Sequence, residues 1–152
     1  MVEEGGEAPD FELTSDAGDR VRLSQFRGRP VVLYFYPRDD TPGCTKQASG
    51  IRDTYDEFGK RGAVVLGVSP DDEASHVRFK QKHGLPFTLL ADPDHEVAEL
   101  YGVWKEKSFA GKKYWGVERS TFVIDAEGTV TKAMRRVKPD THAERVLAEL
   151  PA

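Results

Sequence analysis

The sequence predicts an α/β protein with a mixed sheet, because strand-like and helix-like segments alternate along its 152 residues. Residues 31–36 and 63–68 are nearly all apolar and rich in β-branched side chains, which is typical of strands buried on both faces. The chain then ends with a predicted hairpin and a helix, so part of the sheet should be antiparallel.

The first buried strand leads into the first helix through a turn-forming segment. Strand 31–36 ends at Pro37, which has no N–H group to donate to a neighbouring strand. A helix is then predicted from Cys44 to about Phe58, directly before a glycine that ends it.

The middle of the chain repeats this alternation. After the second buried strand, Ser69 is the expected N-cap of a helix with Pro70 at its first position, and Gly84 ends that helix. A short strand at 87–90 and a short helix at 96–101 follow.

The last predicted elements are a hairpin and a helix. Strands 121–125 and 130–134 flank a turn in which Gly128 is expected to adopt the left-handed conformation. Thr141 with Glu144 matches a capping box, which predicts the start of the last helix.

The only cysteine, Cys44, stands directly after Pro42 and Gly43 at the predicted start of a helix. A thiol in this place faces unpaired backbone N–H groups and the positive end of the helix dipole, and both favour the thiolate. A lone cysteine is more often a small, inert core residue. Because the neighbours of Cys44 are polar or turn-forming, we expect a partly exposed turn and a reactive nucleophile.

Pro37, Thr41 and Cys44 have the spacing of the active-site loop of peroxiredoxins, which are thiol peroxidases. The chain most closely resembles the branch called bacterioferritin comigratory protein, or peroxiredoxin Q. The segments that resemble this branch extend over nearly the whole chain, at 8–11, 67–71, 84–87, 90–93 and 101–104.

This resemblance implies both a fold and an activity. The implied fold is a thioredoxin fold in one domain over residues 1–152, with a mixed central sheet flanked by helices and an N-terminal β-hairpin within 10–24. The implied activity is the reduction of hydrogen peroxide and organic hydroperoxides through a sulfenic acid on Cys44. Thioredoxin or another external thiol would reduce that intermediate, and no cofactor is implied.

The resemblance also assigns roles around the sulfur. Arg119 and the Thr41 hydroxyl would stabilise the negative charge that develops on the departing oxygen, and Pro37 would shield the sulfur from water. The residues alone leave purely structural roles open, since threonine is a common helix cap and proline a common strand terminator. Thr41 could cap the Cys44 helix and Pro37 could end the strand. Arg38 is the alternative cation.

Two positions depart from the family pattern. Many members of the branch carry a second, resolving cysteine five residues after the first, and Ser49 occupies that position here. Either the chain is a natural one-cysteine member or the serine was engineered, and both remain open. Gln47 stands where glutamate is common, so any carboxylate contact to the active-site arginine is in doubt.

Composition favours a small enzyme over several other classes of protein. The net charge of -4 comes from 22 basic and 26 acidic residues of interspersed sign, which does not predict nucleic-acid binding. The acidic start predicts no signal peptide, and no apolar run has the length of a membrane span. A single cysteine allows no internal disulfide, so we expect a cytoplasmic protein, and we expect a monomer.

The remaining polar clusters receive structural interpretations. The acidic group at 92–96 precedes a predicted helix, so capping is favoured over metal binding. Four histidines have no metal-ligand spacing and are expected at the surface: His76, His83, His95 and His142. Bases and aromatics are interleaved within 104–115, which is expected to be a loop packed over the fold, and the alternative is a segment that helps to bind a substrate or a reductase.

Two classes of function are therefore compared. The favoured one is a cysteine peroxidase, and the alternative is a thioredoxin-fold redox or binding module without peroxidase turnover. A disulfide reductase is disfavoured because the chain has no C-x-x-C pair.

Overall fold

The computed structural model describes residues 2–150, in which strands and helices alternate as predicted. The strands are β1 (Glu12–Ser15), β2 (Arg20–Arg22), β3 (Val31–Phe35), β4 (Val64–Ser69), β5 (Thr88–Ala91), β6 (Trp104–Phe109), β7 (Lys112–Val117), β8 (Ser120–Ile124) and β9 (Val130–Arg135). The helices are α1 (Pro42–Asp53), α2 (Tyr55–Lys60), α3 (Glu73–His83), α4 (Glu96–Leu100) and α5 (His142–Glu149). None of the helices described here is long and apolar enough to cross a bilayer.

Seven of the described strands form one mixed sheet in the order β2-β1-β5-β4-β3-β8-β9. β3 pairs in parallel with β4, and β4 with β5, whereas β8 runs antiparallel to both β3 and β9. β1 and β2 form the hairpin expected within 10–24, and β1 joins it to the sheet by pairing with β5. The mixed α/β sheet expected from the sequence is confirmed.

Apolar side chains pack on both faces of the sheet, which explains why β3 is a continuous apolar run. Successive side chains of a strand point to opposite faces. Leu33 and Phe35 therefore belong to one apolar layer, while Tyr34 and Tyr36 belong to the other, together with buried side chains of α1 and α5. Cys44 lies in this second layer.

The single helix predicted from Cys44 to about Phe58 is wrong, because the chain breaks between α1 and α2. Thr54 lies at the break with φ −117° and ψ 16°, and its Oγ1 donates to the Gly50 carbonyl at 2.8 Å. A threonine that bonds back to the preceding turn competes with the helical hydrogen bonds and bends or ends a helix.

Two predicted helix caps are also wrong. Ser69 is not an N-cap because it pairs with β5 as the last residue of β4, and Asp72 instead accepts a hydrogen bond from the Ser75 N–H at 2.8 Å to start α3. Thr141 precedes α5 without a side-chain capping bond. Its φ of −116° and ψ of 5° differ from the extended backbone that lets a cap side chain reach the first turn.

The segment 104–115 is not the packed loop that we expected. It forms most of a separate antiparallel hairpin of β6 and β7, outside the seven-stranded sheet. Ala110 and Gly111 connect the strands, and both have positive φ, as a two-residue hairpin turn requires. The sequence signal was weak because the alanine in this turn is not one of the residues that favour positive φ.

Candidate active site

Cys44 is the third residue of α1. It is buried, so our expectation that it lies in a partly exposed turn is wrong. Only 2% of the residue is exposed to solvent. The inward face of α1 carries Cys44, Gln47, Ala48 and Ile51, a spacing of three and four residues that turns all four toward the sheet. The thiol is therefore held inside the apolar layer next to the sheet.

The first turn of α1 presents backbone donors close to this thiol. The first intrahelical hydrogen bond runs from the Thr45 N–H to the Thr41 carbonyl at 2.8 Å. By helix geometry, the N–H groups of Gly43 and Cys44 have no intrahelical acceptor. The sulfur is accordingly placed beside unpaired donors at the positive end of the helix.

Arg119 lies against the sulfur, with Nη2 donating to Cys44 Sγ at 3.3 Å. The sheet brings Arg119 and Cys44 together although they are 75 residues apart in the sequence. Phe35 at the end of β3 pairs with Ser120 at the start of β8, so the residue before β8 lies where the Cys44 loop leaves β3. Arg38, the alternative cation, is exposed.

Gln47 holds the other side of the same guanidinium. Its Oε1 accepts a hydrogen bond from Arg119 Nη1 at 2.5 Å, while its Nε2 is buried and has no partner among the described residues. The sequence left in doubt whether position 47 contacts the active-site arginine. The Gln47 amide makes this contact in place of a carboxylate, through a neutral acceptor. At this contact the guanidinium is therefore held by a neutral side chain and not by a carboxylate.

Gly43 allows the close approach of the guanidinium. A Cβ at this position would lie 3.1 Å from Arg119 Nη2 and 3.5 Å from Cγ of Pro139. The first distance is tighter than most Cβ contacts and the second is an ordinary van der Waals distance, so a larger residue at 43 would require the Arg119 guanidinium to shift by a few tenths of an ångström.

Thr41 and Pro37 lie in the loop between β3 and α1, and both are half-buried. The Thr41 side chain does not cap α1; its Oγ1 donates to the Arg38 carbonyl at 3.0 Å. The lone pairs of Oγ1 are left to accept a hydrogen bond. Pro37 follows the last residue of the buried apolar run and ends it, as expected.

A buried polar network that sequence reasoning missed fixes this loop to α3. The Asp39 carboxylate accepts hydrogen bonds from Tyr36 Oη at 2.6 Å and Ser75 Oγ at 2.8 Å, and His76 Nδ1 lies 2.7 Å from it. Asp39 and His76 are 37 residues apart, so no local pattern links them. Asp71 Oδ2 also accepts the Asp39 N–H at 2.7 Å.

His76 is buried, contrary to the expected surface position. Burial lowers its pKa, but the hydrogen bond and the charge of Asp39 outweigh burial and raise the pKa above the ordinary value. The geometry agrees, because Nε2 faces the Leu90 carbonyl at 2.9 Å. Both ring nitrogens face acceptors, and only the imidazolium form can donate from both.

His142 is also buried rather than exposed, and its titration is shifted the other way. Nε2 lies 2.6 Å from Thr121 Oγ1, and Nδ1 has no partner within the described part of the chain. Burial, together with the charges of Arg119 and Arg145, lowers the pKa of His142 to about 3. The ring is therefore neutral at physiological pH and adds no charge beside Arg119.

The acidic group at 92–96 caps a helix, as predicted. Asp92 accepts hydrogen bonds from the N–H groups of Val97 at 3.3 Å and Ala98 at 2.9 Å, which lie in the first turn of α4. Residues 2–150 contain no group of three or more side chains arranged to hold a metal ion.

Comparison with known proteins shows the family of the chain. Residues 5–133 match the AhpC/TSA family. The chain belongs to the AhpC/TSA family. Peroxiredoxin Bcp of Bacillus subtilis is 50% identical over 149 residues, which cover 98% of this chain and 95% of that protein. Peroxiredoxin Bcp of Escherichia coli is 48% identical over 143 residues, covering 94% and 92%.

Solved structures agree with these relatives. A cysteine-to-serine mutant of peroxiredoxin Q from Xylella fastidiosa superposes with a TM-score of 0.93 at 33% identity, covering 98% of this chain and 95% of that one. Bacterioferritin comigratory protein of Xanthomonas campestris gives a TM-score of 0.86 at 41% identity, covering 91% of this chain and 88% of that one. The thioredoxin fold and a thiol-dependent peroxidase of the peroxiredoxin Q branch, both implied by the resemblance, are confirmed.

Proposed function

We propose that Cys44 is the peroxide-reducing nucleophile of this peroxidase, acting on hydrogen peroxide and organic hydroperoxides. The observation that carries the proposal is the 3.3 Å contact between Arg119 Nη2 and Cys44 Sγ, because an adjacent cation favours the thiolate that attacks peroxide. The bacterioferritin comigratory protein of Xanthomonas campestris has alkyl peroxide reduction activity, and this likeness supports organic substrates here.

In the first step the Cys44 thiolate attacks the protonated oxygen of the peroxide ROOH. An S–O bond forms and the O–O bond breaks, so the sulfur is oxidised to sulfenic acid and the peroxide is reduced. The departing oxygen leaves as RO⁻ and takes a proton from water to become an alcohol, or water when R is hydrogen.

Negative charge develops on the departing oxygen, and the site offers preorganised donors for it. These are the Arg119 guanidinium, which Gln47 holds in place, and the N–H groups of Gly43 and Cys44. The Thr41 hydroxyl donates its proton to the Arg38 carbonyl in this structure and so is not aimed at the departing oxygen. We propose that Thr41 Oγ1 instead accepts the O–H of the incoming peroxide and orients it, while Pro37 limits the access of water.

The second half of the cycle requires a thiol from outside the chain, because Cys44 is the only cysteine. We propose thioredoxin as this reductant, as the resemblance implies. A cycle that depends on an external thiol supports a cytoplasmic location, where thiol reductants are abundant.

We also propose that the protein acts as a monomer without binding membranes or nucleic acid. The acidic net charge of -4 supports the last point. Within residues 2–150, four large apolar side chains are exposed: Leu100, Phe109, Tyr114 and Trp115. All but Leu100 lie on the hairpin of β6 and β7.

Consumption of peroxide by the purified protein tests the role of Cys44. We expect Cys44→Ser to abolish thiol-dependent reduction of hydrogen peroxide and of an alkyl hydroperoxide, with the circular dichroism spectrum unchanged. Ser49→Ala, a change in the same helix, serves as the control and should retain the parent rate. If Cys44→Ser consumed peroxide at the parent rate, the nucleophile would be assigned wrongly.

A further inference from the structure

The β6–β7 hairpin has two chemically different faces. Residues that pair across an antiparallel hairpin share a face, and neighbours along each strand alternate between faces. We call one of them the lysine face, formed by Lys105, Lys107, Phe109, Lys112, Tyr114 and Gly116. The opposite face is formed by Trp104, Glu106, Ser108, Lys113, Trp115 and Val117.

The lysine face is a concentrated positive and aromatic surface on an acidic protein. It carries three lysines and no acid, and none of these lysines forms an ion pair with another residue in 2–150. Two aromatic side chains lie among them, with Phe109 exposed by 75% and Tyr114 by 47%. On the opposite face Glu106 lies 3.9 Å from Lys113, so that face is nearly balanced in charge.

The lysine face adjoins the active site. β7 ends at Val117, two residues before Arg119, so the base of the hairpin lies within about 7 Å of that backbone. Lys107 packs beside Tyr114 on this face, next to Gly116. Burial lowers the pKa of Lys107, repulsion from Arg119 lowers it further, and Cys44 opposes the change, which shows that Lys107 lies within electrostatic reach of the site.

The opposite face packs on the body of the protein only at the base of the hairpin. Trp104 stacks on His95 with ring centroids 4.0 Å apart and planes 3° from parallel. Val117 is buried in the apolar layer on that side of the sheet. Both faces are therefore exposed toward the tip of the hairpin, and the lysine face differs from the other in its three lysines without a balancing acid.

We propose that the lysine face is the docking surface for the protein thiol that reduces Cys44, and that this partner is acidic around its reactive thiol. The proposal rests on the function proposed above. Cys44 is the only thiol and is nearly buried, so a reductant must be held close to it in every turnover. Lysines attract an acidic partner over distance, and exposed aromatics supply the contact area typical of binding energy.

The reaction at this surface has a defined chemical balance. The partner's thiolate attacks Sγ of the Cys44 sulfenic acid, an S–S bond forms, the S–O bond breaks, and hydroxide leaves as water after taking one proton. A second thiol of the partner then attacks the partner's own sulfur in the mixed disulfide. Cys44 leaves as thiolate, and the partner is oxidised to a disulfide.

A second copy of this chain is a less suitable occupant. A symmetric dimer brings the same patch of both subunits together. Here it would place three lysines of one lysine face against three lysines of the other, with no acid on either, and like charges in contact oppose association.

The alternation of faces supplies matched variants for a test. Lys112→Glu and Lys113→Glu are the same charge reversal at adjacent exposed positions, on the lysine face and on the opposite face. Tyr114→Ala and Trp115→Ala form the corresponding aromatic pair. Peroxide reduction is measured with reduced thioredoxin as the protein thiol and with dithiothreitol as a small neutral thiol.

We expect Lys112→Glu to lower kcat/KM for thioredoxin about tenfold at low salt, with the loss shrinking as salt screens the charges. Tyr114→Ala should lower it severalfold, whereas Lys113→Glu and Trp115→Ala should stay within about twofold of the parent. Turnover with dithiothreitol should be the same for all four, because a small thiol needs no docking surface.

Four results would overturn the proposal. Equal losses for Lys112→Glu and Lys113→Glu would mean that the lysine face has no special role, and so would no loss for either. Equal losses with thioredoxin and dithiothreitol would place the effect in the chemistry rather than in docking. A parent dimer in sedimentation that Lys112→Glu dissociates would make the face a self-contact. Failure of the parent to turn over with either thiol would instead contradict the proposed function.

Discussion

At the scale of single residues, Arg119 is the side chain that we expect to stabilise the transition state of peroxide reduction most strongly. One guanidinium nitrogen contacts Cys44 and another is held by Gln47, so its charge is fixed in place before any peroxide arrives. A donor that needs no reorganisation during the reaction is worth more than a mobile one. Arg38 lies closer in sequence but is exposed, and solvent screens its charge.

Replacing each arginine by alanine tests this difference. We expect Arg119→Ala to slow sulfenic acid formation by about 10²–10³, the loss typical of one oxyanion donor, whereas Arg38→Ala should change the rate by less than a few-fold. Stopped-flow measurement of the reaction with hydrogen peroxide checks both rates. A large loss for Arg38→Ala with Arg119→Ala near the parent rate would reverse the assignment.

His142 is a residue whose effect lies in stability rather than in chemistry. The unfolded chain takes up a proton near pH 6.5, while the folded ring resists it down to about 3. Stability from His142 is therefore present above pH 6.5 and is lost as the pH falls, by about 2 kcal/mol at pH 5.

Urea unfolding at several pH values measures this loss. Between about pH 7 and pH 5, the parent should lose about 2 kcal/mol more than His142→Gln, because glutamine has no proton to gain. Glutamine can still bond to Thr121, which keeps the comparison close. Parallel curves for the two proteins over this range would show that His142 accepts a proton in the folded state.

At the scale of elements, α1 carries both the nucleophile and the position of the missing second thiol. Cys44 and Ser49 are both inside α1, five residues apart. Helix geometry places the two Cα atoms about 8.5 Å apart on different faces. A disulfide spans only about 4.4–6.8 Å between Cα atoms, so an internal bridge would require the helix to unwind.

Intact-mass analysis after one equivalent of peroxide tests this constraint. The parent should gain a single oxygen as sulfenic acid, and with excess peroxide a second as sulfinic acid, because no internal thiol competes. Ser49→Cys should instead lose two hydrogens and lose helical circular dichroism on oxidation. An internal disulfide in Ser49→Cys with the helix signal unchanged would contradict the unwinding argument.

At the scale of the whole molecule, the sequence predicted what is local and missed what depends on distant pairing. Strands β3 and β4 were found because burial on both faces leaves a continuous apolar run. The placement of Arg119 at the sulfur followed from resemblance, since the pairing of β3 with β8 that produces it has no local signature. The burial of His76 was missed because Asp39, its partner, is distant in the chain.

This pairing of Asp39 with His76 joins the active-site loop to α3 beneath the surface. Its pH dependence is opposite in sign to that of His142. The pKa of His76 is raised in the folded state, so its stabilisation is fully present below pH 6.5 and is lost as the pH rises through the raised value. The stabilisation from His142 is thus lost below about pH 6.5, and that from His76 is lost above it.

The cost of His76→Gln should therefore depend on pH across the neutral and alkaline range. We expect this variant to be destabilised most at about pH 6, where the parent has the charged pair, and progressively less as the pH rises above about 6.5, because the unfolded parent then loses a proton that the folded parent retains. Urea unfolding of the parent and the variant at each pH gives the difference, and His142→Gln is the matched control, since its difference from the parent changes on the acid side instead. A constant cost of His76→Gln from pH 6 to pH 9 would show that the ring is not charged in the folded protein, and that neutral hydrogen bonds alone tie the loop to α3.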